Sequence, residues 1–149
     1  MDSIAFIAPV SGIIALITAA GLASWINKMD EGTERMAEIA GFIREGAMAF
    51  LRREYRAMAF VVLVIVVILG LFINWLTAGL YVLGALFSVL AGFFGMQVAT
   101  KGNVRTANAA RESGMSKALK VAFRSGAVMG LSVVGLGLLG LGGIFVVMG

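Results

Sequence analysis

A chain of 149 residues that is 60% hydrophobic and 13% charged, with a mean hydropathy of +1.00, has too little polar surface to cover a water-facing shell, so lipid is its expected solvent. Its net charge of +4 comes from twelve Lys and Arg against eight Asp and Glu, a balance that here serves membrane topology rather than nucleic-acid binding. The absence of Cys and His excludes disulfide frameworks, thiolate metal sites and an imidazole general base.

The first apolar run, residues 4–26, is too long for the 7–15-residue core of a signal peptide and has no Lys or Arg before it, so it reads as a retained span. Pro9 is expected to bend it locally. Ala8, Gly12, Ala15, Ala19 and Ala23 place small residues along one side, where a second helix can approach closely. Residues 27–56 form a charged segment in which Met36, Ile39, Ile43, Ala47, Phe50 and Leu51 recur at helical spacing. A helix is expected over most of 30–56, capped by Asp30 or Thr33, with Glu31 and Glu34 near the positive end of its dipole. Its apolar stripe faces either the membrane surface or other helical extensions.

The second span is read at 57–76 and the third at 80–98, leaving Thr77, Ala78 and Gly79 as a tight hairpin flanked by Asn74, Trp75 and Tyr81. In the third span Gly84, Ser88 and Gly92 line one face and Ala91, Gly95 and Ala99 a neighbouring one. Residues 99–125 read as helical extensions joined by a turn near Ser113 and Gly114. The fourth span, 126–148, opens with the G-x-x-x-G pair Gly126 and Gly130. The expected fold is therefore all-α: four transmembrane helices with helical extensions.

All twelve basic residues lie in the two charged segments: Lys28, Arg35, Arg44, Arg52, Arg53 and Arg56 in the first, Lys101, Arg105, Arg111, Lys117, Lys120 and Arg124 in the second. Positive charge is retained on the cytoplasmic side during insertion. Both segments are thus expected inside, and both termini on the non-cytoplasmic side of a cell inner membrane or its equivalent.

Chemistry is sparse. No span carries an ionisable side chain between its ends, whereas ion-coupled transporters place such groups in the membrane. No phosphate-binding G-x-x-x-x-G-K-[ST] occurs; Lys101 stands between Thr100 and Gly102. Glu31, Glu34 and Glu38 share one helical face, but a solvated face paired with Arg35 describes them better than a metal site. Arg52, Arg53 and Arg56 cluster where the helix enters the bilayer and suit anionic headgroups.

Three strings add a resemblance. Residues 41–56 read GFIREGAMAFLRREYR, residues 92–111 read GFFGMQVATKGNVRTANAAR, and residues 122–140 read AFRSGAVMGLSVVGLGLLG. In sequence, order and separation these are similar to the N-terminal region of the membrane-bound, ion-translocating inorganic pyrophosphatases. The resemblance covers essentially the whole chain. It implies a pump of about sixteen spans per subunit that hydrolyses pyrophosphate with Mg2+, in some members with K+, to drive protons or sodium ions out of the cytoplasm. It also implies a homodimer, embedded in the lipid bilayer, in which this chain packs against the remaining helices of the pump, with no role for nucleic acid. The Asp-rich substrate motifs and the ion gate of that family lie beyond the matched strings. Accordingly, no catalytic, cofactor-binding or metal-binding residue is assigned here, and the chain is expected to be an inactive N-terminal fragment or one product of a split gene. The alternative is a standalone four-span structural or transport subunit without enzymatic activity.

Overall fold

The computed structural model describes residues 6–148, so Asp2 and the first two residues of the predicted first span lie outside the described residues. Four helices follow in order: α1 (Ile7–Asn27), α2 (Glu34–Phe72), α3 (Trp75–Ser113) and α4 (Met115–Met148). All four are long and apolar enough to cross a membrane, and the protein is an integral membrane protein.

α2 and α3 have 39 residues each, which is about 58 Å of helix against a hydrocarbon core of about 30 Å. Roughly half of each helix therefore stands outside the membrane, and those halves are the charged segments. Pro9 is the third residue of α1. In the first turn its missing N–H costs no helical hydrogen bond, and α1 runs on unbroken.

Thr33 caps α2, its side chain accepting from the Met36 N–H at 3.3 Å. Asp30 instead shapes the preceding turn, its carboxylate accepting from the Gly32 N–H at 2.9 Å. At the other end of α2 the hairpin differs from the sequence expectation. Thr77, Ala78 and Gly79 are helical, and the chain reverses at Ile73 and Asn74. Asn74 decides the position by capping α3, its side-chain oxygen accepting from the Thr77 N–H at 2.7 Å. The Trp75 ring then lies over Gly70, where a Cβ would meet it at 2.7 Å. The turn between α3 and α4 falls where expected, at Gly114, whose φ of +79° suits glycine.

The helices pack as a row. α3 and α4 form the centre, α1 lies mainly on α4, and α2 touches α3 alone. Gly12 and Gly135 set the α1–α4 approach: a Cβ on Gly12 would come within 2.8 Å of the Gly135 carbonyl oxygen. Gly12, Ala15 and Ala19 are buried there, as their spacing predicts. On α3, Ala91 and Gly95 are buried, Gly95 beneath Met129. Gly126 and Gly130 depart from expectation: a Cβ on either would meet open space. Two small cores close the charged half of the row, Ala19–Ile26–Val128 and Ala109–Ala118–Val121, and Trp25 packs against both.

Candidate functional site: an arginine-centred tie, a cationic rim and two grooves

The most heavily bonded side chain is Arg105, on the part of α3 that stands outside the membrane. Residues Thr100, Val104, Arg105, Asn108 and Ala109 form its buried stripe, and Arg105 is only 7% exposed. All three guanidinium nitrogens are used. Nε donates to the Met29 carbonyl and Nη1 to the Lys101 carbonyl, each at 3.0 Å. Nη2 lies 3.0 Å from Glu31 Oε1. The planar fork makes this division possible; an ammonium would hold fewer of these acceptors at once.

The tie fastens the end of α1 and the following loop to α3. Met29 lies just past α1, where carbonyls lack helical partners and the dipole favours a cation; Arg105 meets both needs. Arg44 on α2 approaches the same Glu31 carboxylate at 3.7 Å and brings a third helix to the joint. Gly32 is required beside it twice over: its φ is +91°, and a Cβ would fall 2.7 Å from Asn108 Oδ1. Arg44 Nε and Asn108 Oδ1 are both buried without a protein hydrogen-bond partner at this joint. A second tie joins α1 to α4, where the Arg124 guanidinium lies 4.1 Å from the centre of the Trp25 ring.

Glu31, Glu34 and Glu38 of the first charged segment do not converge. Glu31 turns to Arg105, Glu38 pairs with Arg35 at 2.6 Å, and Glu34 sits in the first turn of α2. Among the described residues no group of three or more Asp, Glu, His or Cys could hold a metal ion. What the charged end shows is helix positioning, through the contacts of Arg105, Arg44 and Arg124.

Two grooves flank α3. One, of about 400 Å³, runs between α2 and α3 from Tyr55 through Ala59, Val62 and Val66, opposite Val82, Ala85 and Val89. Tyr55 closes its charged end by donating a hydrogen bond from its hydroxyl to the Val89 carbonyl at 3.1 Å. Arg52, Arg53 and Arg56 stand exposed around Tyr55, without an ion pair among the described residues. The other groove, about 690 Å³, lies between α3 and α4 over Gly84, Ser88, Met129 and Gly137. The Gly84, Ser88 and Gly92 face expected on α3 thus lines this groove, opposite Gly137 and Gly140 of α4. The apolar stripe of α2 is partly answered from within the chain: Met36, Ile39 and Ile43 line a cleft against Val104 and Ala107 of α3.

In the sequence Arg105 counts only toward topology. Its neighbours carried a clue, since one Arg on a stripe of Thr100, Val104 and Ala109 leaves a guanidinium among small side chains. Trp25 and Tyr55 leave no local mark either, because their partners, Arg124 and Val89, lie far away in sequence.

Residues 13–149 match the family model described as inorganic H+ pyrophosphatase. The chain is 53% identical over 131 residues to a Clostridium tetani protein provisionally named K(+)-stimulated pyrophosphate-energized sodium pump, which covers 88% of this chain and 19% of that protein. It is 46% identical over 154 residues to the K(+)-insensitive pyrophosphate-energized proton pump of Methanosarcina mazei, covering 100% of this chain and 22% of the relative. With the K(+)-stimulated pyrophosphate-energized sodium pump of Thermotoga maritima the identity is 45% over 138 residues, 92% of this chain and 19% of the relative. The chain thus spans about one fifth of the length of these relatives.

Proposed function

The chain belongs to the inorganic H+ pyrophosphatase family, and on that premise we propose that it forms part of a pump that couples pyrophosphate hydrolysis to proton or sodium transport. Its share of the work is a helical framework, not the reaction centre. The observation that carries this reading is the pairing of a match over residues 13–149 with the absence, among the described residues, of a carboxylate cluster able to hold a metal ion. The Mg2+ that pyrophosphate hydrolysis calls for does not fit the residues present, so its ligands, and those of K+ where it is needed, belong to other segments of the pump. Sodium-pump and proton-pump relatives match this segment at 45% and 46% identity. A framework shared by both kinds accommodates that, with ion choice made elsewhere.

The segment packs against the remaining helices of the pump, and a second copy completes a homodimer. Its charged end faces the cytoplasm, and both termini lie on the opposite side. The positive charge supports this orientation: antiparallel packing gathers residues 28–56 and 101–124, which hold all twelve basic residues, at one end of the row.

The test is hydrolysis by membranes holding this chain with and without the rest of a family pump. Mg2+-dependent pyrophosphate hydrolysis is expected only when the remaining segments are supplied. Activity above background from the chain alone would overturn the framework role.

A further inference from the structure

We propose that the groove between α2 and α3 is a binding site for one anionic phospholipid, its phosphate held by Arg52 and Arg56 and one acyl chain lying along the groove. The geometry joins two independent features. On α2, Arg52, Tyr55, Ala59, Val62 and Val66 follow one another at spacings of three and four residues, so they make a single helical stripe. Arg56 adjoins it, one turn before Ala59. The apolar part of this stripe lines the groove, and Arg52 and Arg56 stand exposed on the turn of Tyr55, the groove's last wall residue on the charged side. Glu54, two positions from Arg52 and from Arg56, lies about 160° from both around the helix, on the other flank of Tyr55, so the flank that carries the two arginines is cationic.

The dimensions suit a lipid. From Tyr55 to Val66 the groove follows eleven helical steps, about 16 Å. One leaflet of hydrocarbon is about 15 Å deep, half of a core of about 30 Å. A chain entering at the arginines therefore ends near the midplane, where the groove ends. Its walls are Met, Ala, Val and Leu apart from Tyr55. The Tyr55 hydroxyl is already committed to the Val89 carbonyl, so it presents its ring to the chain rather than an unsatisfied polar atom. A bidentate guanidinium suits a phosphate monoanion, and two of them at a bilayer surface favour an anionic headgroup over a zwitterionic one.

The inference does not depend on the pumping role. It is tested by native mass spectrometry of the purified, delipidated protein in its assembled form, titrated with phosphatidylglycerol and with phosphatidylcholine of identical acyl chains. A preference for phosphatidylglycerol of about thirtyfold is expected from two arginines near one headgroup. The double variant Arg52→Gln, Arg56→Gln should bring the preference to within about twofold, while Arg53→Gln, at the same rim, should leave it largely intact. Ala59→Phe should lower binding of both lipids by filling the groove. An unchanged preference in the double variant would overturn the proposal. So would displacement of phosphatidylglycerol by millimolar inorganic phosphate, which would mark a site for the free anion. A cross-link from a cysteine placed at Val62 to another helix would show that protein occupies the groove, and would overturn it equally.

Discussion

Replacing Arg105 by Met keeps the bulk of the side chain and removes its three polar contacts. The Met29 carbonyl then loses its donor, and the Glu31 carboxylate keeps only the longer approach of Arg44 at 3.7 Å. The Lys101 carbonyl keeps its helical partner. Breaking a fully buried ion pair costs about 3–5 kcal/mol, and a hydrogen bond to a charged group is worth about 1.5–3 kcal/mol. The Glu31 side chain is 34% exposed, so water recovers part of the loss and places the expected cost at about 2–3 kcal/mol. Glu31→Gln should cost less, about 1–2 kcal/mol, because the amide still offers an acceptor and the two carbonyls remain in place. Equilibrium unfolding in mixed micelles, followed by helical circular dichroism, measures both changes. The double variant should show a coupling energy near 1 kcal/mol or above. Were Arg105→Met to fall within about 0.5 kcal/mol of the parent, as an ordinary surface substitution does, the tie would carry no weight and the reasoning would fail.

Other substitutions separate packed from open positions. Gly12→Val drives a side chain into the Gly135 backbone and should cost about 1–3 kcal/mol by overpacking, whereas Gly130→Ala meets open space and should be neutral or up to about 1 kcal/mol stabilising for the chain by itself. The same unfolding assay compares them. Asn74→Ala removes the cap of α3 and should cost about 1 kcal/mol, with faster amide exchange confined to the first turn of that helix. Because the chain has no cysteine, single Cys replacements report sidedness cleanly. Ser113→Cys should react with a membrane-impermeant maleimide only in inside-out vesicles, and Ile73→Cys only in right-side-out ones; the reverse pattern would invert the proposed orientation.

The membrane class, the four helices, their extensions and the Gly114 turn were legible because each leaves a local mark: an apolar run, a helical stripe of Met36, Ile39 and Ile43, or a glycine in a polar stretch. The hairpin was misplaced by a few residues because Phe72, Ile73, Trp75 and Leu76 form one apolar plateau across it. Only Asn74 interrupts that plateau, and composition outweighs a single polar residue until its capping bond is seen. Small residues were legible as a class but not by partner. Gly12 and Gly126 look alike in sequence, yet one lies against a backbone and the other borders open space. The Arg105 tie was the least legible feature, since it joins positions 29, 31, 44 and 105, and no local pattern specifies a contact across 76 residues.

Membership in a pyrophosphate-energised pump is tested most directly by grafting residues 13–149 into the Thermotoga maritima relative in place of its matching segment and measuring sodium uptake into vesicles on addition of pyrophosphate. A shared framework predicts pyrophosphate-dependent uptake by the graft. A graft that inserts stably and yet neither hydrolyses pyrophosphate nor moves sodium would contradict it.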